Sequence, residues 1–114
     1  MTIDQKDKLR LRHIIEATGH IADFINGVSK KEFENDYEKQ SAVIRQFEII
    51  GEAAGKLTSE FIKQRKEIDW PKVVGMRHKM IHDYFDVDVS IVWTTAKDDV
   101  PVLKKKIEKI LNNN

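Results

Sequence analysis

The sequence predicts an all-α protein, an antiparallel bundle of four or five main helices joined by short loops. Two prolines and five glycines in 114 residues leave few interruptions. Apolar residues recur at steps of three and four, and no segment shows sustained alternation with a period of two. The chain is long enough to bury a core of its own, so we expect a single helical domain over residues 1–114.

Three helices are predicted in the first half of the chain. The first runs from about Asp4 to Asn26 and carries one apolar stripe formed by Ile14, Ile21, Ile25 and Val28. A short helix over Lys30 to Asn35 follows, because Ser29 and Glu32 have the spacing of a capping box. The clearest helix runs from about Tyr37 to Leu57, with one buried edge formed by Val43, Phe47, Ile50, Ala54 and Leu57.

The second half begins with a short helix that Thr58 or Ser59 is predicted to cap and that ends near Lys66. Asp69-Trp70-Pro71 starts the next helix, since proline is tolerated in a first turn. That helix is predicted to continue past His82, with an apolar face formed by Val73, Met76, Met80, Ile81 and Tyr84. Asp88 is predicted to cap a last helical segment, which Pro101 kinks or restarts.

Composition excludes several classes of protein. The chain carries 20 basic and 19 acidic side chains, which excludes a broadly polybasic nucleic-acid binder. It has no cysteine, so disulfide frameworks, zinc ribbons and cysteine nucleophiles are excluded. No run approaches the ~20 apolar residues of a membrane span, and the charged N-terminus lacks a signal-peptide core. We therefore expect a cytoplasmic protein without membrane association.

Local charge singles out the segment from Trp70 to His82, which contains Lys72, Arg77 and Lys79 and no acidic residue. The next stretch, to Asp99, reverses sign, with five aspartates against one lysine. This alternation fits either a small basic site beside an acidic rim or ordinary solvated helix faces.

Nine residues, Met76 to Tyr84, hold two His, an Arg, a Lys, an Asp and a Tyr. On an ideal helix Arg77 shares a face with Tyr84 and with the apolar Val73 and Met80. The guanidinium of Arg77 is therefore expected to point toward a core or an interface.

A buried Arg77 needs either an internal carboxylate, such as Glu48 or Glu52, or a functional anion. On the same helix His82 would lie about 140° from Arg77, so the two converge only if the helix ends near His82 or if a second copy of the chain supplies one of them. His78 and His82 have a spacing that suits a metal, but a pair without a third spaced ligand is weak support, and no metal is predicted.

Gly51 and Gly55 lie one turn apart inside the predicted third helix, each at a cost of roughly 1 kcal/mol relative to alanine. With Ala54 they form a patch of small residues. The patch favours a close crossing of two helices within the chain over a ligand site.

The pattern Arg-x4-His-x-Tyr, present as Arg77, His82 and Tyr84, resembles the signature of the HepT-like toxin family of the HEPN superfamily. Three stretches resemble that family in order and spacing over nearly the whole chain, namely IRQFEIIGEAAGKL, IDWPKVVGMRHKMIHDYFDVDVSIVW and DDVPVLKKKIEKIL. One departure is His78, since many relatives carry Asn or Asp directly after the arginine of the motif.

The resemblance implies a HEPN-like bundle that forms a homodimer or a higher even oligomer, with Arg77 and His82 of two protomers facing a shared cleft and cleaving RNA without a metal or other cofactor. The residue types suit that chemistry, because histidine exchanges protons near neutral pH and arginine stabilises charge on phosphoryl oxygens. Candidate RNA contacts are Lys72, His78 and Lys79.

The resemblance also implies a partner, a minimal nucleotidyltransferase antitoxin that adenylylates Tyr84 and so blocks the site. Two other functions remain open. One is a non-catalytic helical module that binds the nucleotidyltransferase, and the other is a structural dimerising bundle in which Arg77 forms a core ion pair. Retention of all three motif positions favours the enzyme.

Overall fold

The structure is a computed structural model that describes residues 2–83 and 86–113, with the backbone alone for His82 and Asp83. Within those residues the chain forms seven α-helices, one π-helical turn and two short strands. In chain order these are α1 (Gln5–Ile25), α2 (Lys30–Glu34), α3 (Tyr37–Gly55), α4 (Ser59–Gln64), α5 (Trp70–Val74), β1 (Ile81–Asp83), β2 (Asp86–Val87), α6 (Val89–Thr94), the π-helical turn (Thr95–Asp99) and α7 (Val100–Asn112).

Helix α1 lies at the centre of the bundle and packs against both α3 and α7. The apolar stripes predicted for the two longest helices form the core, and their members Ile14, Ile21, Val43, Phe47 and Ile50 are fully buried. On α7, Ile107 is fully buried as well. The all-α prediction is therefore confirmed, and none of the described helices has the length and apolar character needed to cross a membrane.

The predicted capping box at the start of α2 is present. The Ser29 hydroxyl accepts the Glu32 N–H at 3.1 Å, and the Glu32 carboxylate accepts the Ser29 N–H at 3.1 Å. For α4 the cap is Thr58, whose hydroxyl accepts the N–H of Phe61 at 3.2 Å. At the N-terminus of both helices, the hydroxyl side chain satisfies a backbone N–H that has no partner within the helix.

The helix that starts at Trp70 is much shorter than predicted. Asp69 caps it, but α5 ends at Val74 with Gly75 as its C-cap. Beyond Gly75 the N–H groups of His78 and Met80 bond carbonyls three residues back, which gives successive tight turns in place of a helix. The chain then enters β1, which pairs antiparallel with β2.

The C-terminal part follows the prediction more closely. The Asp88 side chain caps α6 by accepting the N–H of Ile91 at 3.1 Å. The π-helical turn continues α6 and leads into α7 without a break, because Thr95, Asp99 and Val100 all keep right-handed helical backbone angles, and Pro101 is the second residue of α7. Since proline has no N–H to donate, it interrupts the hydrogen bonds of a helix, and the π-helical turn directly before it is the local irregularity at that point.

Candidate functional site

The candidate site lies on α5 and on the turns that follow it, residues 75–80. The start of α5 is fixed by Trp70, whose indole N–H donates to the Arg65 carbonyl at 2.9 Å and whose ring packs on Phe61 with a centroid separation of 5.8 Å. The other end of α5 crosses α3 closely. A Cβ built on Gly51 would lie 2.9 Å from the Val74 carbonyl oxygen.

This crossing confirms the intrachain role predicted for the small-residue patch, but at Gly51 only. Nothing lies within 4 Å of a Cβ built on Gly55. Because α3 and α5 approach at Gly51, the turn after Val74 is brought beside the middle of α3. That placement decides the surroundings of Arg77.

Arg77 is at the surface of the chain, so of the two expected positions, a core or an interface, the core is excluded. Its side chain is 47% exposed, and its Nε lies 3.4 Å from Oε2 of Glu48, which is 33% exposed. The core position was wrong because it assumed a continuous helix, whereas α5 ends three residues before Arg77. The carboxylate partner suggested as an alternative is present as a solvent-accessible ion pair and not as a core pair.

Arg77 and His78 line one open groove between α3 and the turn, with a volume of about 280 Å³. The α3 wall contributes Glu48, Gly51 and Glu52. Gly51 and Glu52 follow Glu48 by three and four residues, so both lie beside it on the helix surface, and that spacing was readable from the sequence. The sequence did not indicate that this face meets Arg77 at the surface.

Lys72 and Lys79 lie on the opposite side of α5, toward α7. Lys72 lines a second groove, of about 190 Å³, together with Asp99 and Lys106. The ammonium of Lys79 lies 3.9 Å from Oδ2 of Asp99. The candidate residues therefore divide into two groups, Arg77 and His78 beside α3 and the two lysines beside α7.

His82 lies in β1, and Tyr84 falls outside the described residues. His78 and His82 do not share a helix, so they do not lie one turn apart on one helix face, as a two-histidine metal site would have required. Among the side chains that the structure describes, no group of three or more His, Asp or Glu could hold a metal ion. The 140° divergence expected between Arg77 and His82 also no longer applies, because it assumed the same helix.

Comparison with known proteins identifies the family. The profile of the "Ribonuclease HepT-like" family matches residues 14–110. A protein of Thermococcus cleftensis named "Probable ribonuclease HepT" is 43% identical over 100 residues, covering 88% of this chain and 91% of the relative.

Two further relatives are named as candidate RNases. One, from Caldanaerobacter subterraneus, is 36% identical over 101 residues, covering 89% of this chain and 90% of the relative. The other, from Methanocaldococcus jannaschii, is 38% identical over 106 residues, covering 93% of this chain and 88% of the relative. No solved structure matches the chain significantly. The family match covers most of the chain, and the chain therefore belongs to the HepT-like ribonuclease family.

Proposed function

We propose that the chain is a metal-independent endoribonuclease, the toxin of a toxin–antitoxin pair, in which Arg77 and His82 act on the scissile phosphate. The observation that carries this proposal is the position of Arg77. In a chain of a ribonuclease family, its guanidinium is half exposed at an open groove, on a segment without acidic residues. Surface arginines of this kind are accessible to a phosphate.

The reaction uses one residue type as both base and acid. The imidazole of His82 accepts the proton of a ribose 2′-OH, the 2′-oxygen attacks phosphorus, and the P–O5′ bond breaks. A second imidazole, His82 of the other protomer, donates a proton to the leaving 5′-oxygen. Arg77 stabilises the negative charge that accumulates on the non-bridging oxygens. The products are a 2′,3′-cyclic phosphate and a 5′-hydroxyl end.

The cleavage test compares the wild type with Arg77→Ala and His82→Ala on a labelled RNA. Each variant should lose about 10²-fold or more in rate, the scale typical of acid–base and charge-stabilising groups. His20→Ala is the matched control, because His20 lies on α1 and pairs with Glu16. EDTA should have no effect. Loss of cleavage in EDTA with recovery on adding a divalent metal would contradict the metal-independent mechanism.

The proposal includes a homodimer in which residues 72–82 of two protomers line a shared cleft. Two-fold symmetry supplies the second His82 that the reaction needs, since an isologous interface pairs each residue with its own copy. Light scattering should give twice the monomer mass at micromolar concentration. A monomer that still cleaves RNA would show that the site is not shared.

We also propose that a minimal nucleotidyltransferase controls the enzyme by adenylylating Tyr84. The tyrosine oxygen attacks the α-phosphorus of ATP, the bond to the β-phosphate oxygen breaks, pyrophosphate leaves, and a base takes the phenol proton. Tyr84 follows Arg77 by seven positions in the chain. A tethered phosphate would therefore compete for the guanidinium at a high effective concentration.

Intact-mass measurement after co-expression with the cognate nucleotidyltransferase tests this control. Adenylate mass should appear on the wild type and be absent from Tyr84→Phe, which keeps the ring but lacks the acceptor hydroxyl. Expressed alone, Tyr84→Phe should arrest growth as the wild type does. Full neutralisation of Tyr84→Phe without added mass on either protein would indicate inhibition by complex formation instead.

A further inference from the structure

The contact between Arg77 and Glu48 engages one particular edge of the guanidinium. The carboxylate oxygen lies 3.4 Å from Nε, the nitrogen nearest the side-chain stem. Among the described ion pairs, Glu48 is the carboxylate partner of Arg77. A guanidinium carries five N–H donors, of which four are on the two terminal nitrogens. A partner at Nε therefore leaves the terminal nitrogens available to a second anion.

The two side chains differ in how firmly their backbones are held. Glu48 lies in the middle of α3, a 19-residue helix, and its neighbours Phe47 and Ile50 are fully buried. Arg77 lies in tight turns whose hydrogen bonds span only three residues. A long, packed helix thus holds the side chain of a residue whose own backbone is in irregular structure. An arginine side chain loses considerable rotamer freedom when it is ordered, and a fixed partner supplies part of that ordering in advance.

We propose that Glu48 is a positioning residue for Arg77. It holds the guanidinium by Nε so that the terminal N–H groups face the scissile phosphate. This inference rests on the proposed ribonuclease function. It assigns no direct contact between Glu48 and RNA, because a carboxylate beside the phosphate would repel it.

That repulsion gives the proposal a kinetic signature. Removing Glu48 removes a negative charge near the bound RNA, so KM should stay unchanged or fall. The disordered arginine would at the same time stabilise the transition state less well, so kcat should fall. A residue that only supported the fold would change neither parameter once the fraction of folded protein is taken into account.

The first experiment observes the contact without RNA, by NMR of the arginine Nε–Hε groups. The Arg77 signal is assigned by its loss in Arg77→Lys. In the wild type this proton should exchange slowly with water, and in Glu48→Ala its exchange should be about tenfold faster. Glu38→Gln is the matched control, since it removes an exposed carboxylate in the first turn of the same helix, away from the groove that Arg77 lines. Equal exchange in wild type and Glu48→Ala would overturn the proposal.

The second experiment measures cleavage. Glu48→Ala should lower kcat by about ten- to a hundredfold, the scale of a misplacement near 1 Å, without raising KM. Glu48→Gln keeps an oxygen that can accept the Nε–H, so it should recover part of the lost kcat. Glu38→Gln, outside the groove, should stay within about twofold of the wild type.

Two results in the cleavage assay would overturn the proposal. One is an unchanged kcat in Glu48→Ala, and the other is an equal loss in Glu38→Gln, which would indicate a general charge effect. Failure of the underlying function looks different, because the wild type itself would then leave RNA intact. Circular dichroism of each variant confirms that the comparison is between folded proteins.

Discussion

Gly51 on α3 and Val74 on α5 lie so close that the space of a methyl group is missing between them. A Cβ on Gly51 would lie 2.9 Å from the carbonyl oxygen of Val74, a backbone atom that cannot rotate away. The glycine therefore sets how closely the turn that carries Arg77 approaches α3. Gly55, one turn later and exposed, meets nothing within 4 Å.

This difference predicts opposite effects for two identical substitutions. Gly55→Ala should stabilise the protein by at most about 0.5–1 kcal/mol, because alanine favours helix but Gly55 is the last residue of α3. Gly51→Ala gains the same helix preference but forces α3 and α5 apart, so we expect the free energy of unfolding to fall by about 1–2 kcal/mol. Urea unfolding of both variants measures the difference. Equal stability of the two variants would show that the crossing is loose.

The long helices were predictable because burial and local pattern agree along them. On α3, Val43, Phe47 and Ile50 repeat at helical steps and are all fully buried. Such a stripe spans several turns, so no other regular structure would place these side chains on one side. The Ser29 capping box was predictable for a similar reason, since its hydrogen bonds join residues three apart.

The end of α5 was not predictable from the same rules. Val73, Met76 and Met80 are three and four residues apart, which fits a helix, and all three are buried. Successive tight turns bury the same residues, and a single glycine such as Gly75 is compatible with either a helix interior or a C-cap. The strand that follows depends on pairing with Asp86–Val87, a contact that local periodicity does not contain.

The wrong length predicted for this helix also affected the expected position of Arg77. Glu48 was identified as a candidate partner of Arg77, and the structure contains this pair. The sequence left open whether Arg77 lies in a core or at an interface, because this depends on where α5 ends and how closely it crosses α3. The ribonuclease family itself was recognisable from the motif and its flanking segments, and the family match confirms it.

A buried carboxylate joins α1 to the start of α4, and its removal should be costly. Asp7 is 2% exposed and accepts two hydrogen bonds from Thr58, from the N–H at 2.9 Å and from the hydroxyl at 2.6 Å. Asp7→Ala would leave both donors without this acceptor, at a cost of about 2–3 kcal/mol. Thermal and urea unfolding measure this loss of stability. Asp23→Ala, at an exposed position on the same helix, should cost less than about 0.5 kcal/mol, and an equal loss in both would contradict the role given to Asp7.

The capping box of α2 should respond to acid. The pKa of Glu32 lies below its ordinary value of 4.5, mainly because its carboxylate accepts the Ser29 backbone N–H and also because it hydrogen-bonds with the Ser29 side chain. A lowered pKa in the folded state means that the ionised form favours folding. This contribution is fully present above the ordinary value and is lost as the pH falls through the lowered one.

Hydrogen exchange at the amides of α2 measures this pH dependence. Protection in the wild type should exceed that in Glu32→Gln above about pH 5, and the difference should vanish at lower pH as the glutamate is protonated. Phe33 is a suitable reporter, because it is fully buried and packs on Trp93 with a centroid separation of 5.4 Å. A difference that does not depend on pH would mean that the charge of Glu32 has no part in the cap.

The lysines on the α7 side of α5 should contribute to RNA affinity and leave the chemical step unchanged. Lys72 is exposed and lines the groove that α5 forms with α7, with Lys106 on the same groove. A lysine that neutralises one phosphate of a single strand releases counterions, so the slope of log K against log salt changes by about 0.7. In the His82→Ala background, which prevents cleavage during the measurement, Lys72→Ala should weaken RNA binding and reduce that slope by this amount.

Two further lysine variants serve as comparisons for Lys72→Ala. Lys79 is paired with Asp99 at 3.9 Å, so Lys79→Ala should have a smaller effect on RNA binding. Lys30→Ala, on α2, is the control for a general change in charge. With otherwise wild-type residues, Lys72→Ala should keep kcat at saturating RNA, and an unchanged salt slope in this variant would exclude Lys72 as an RNA contact.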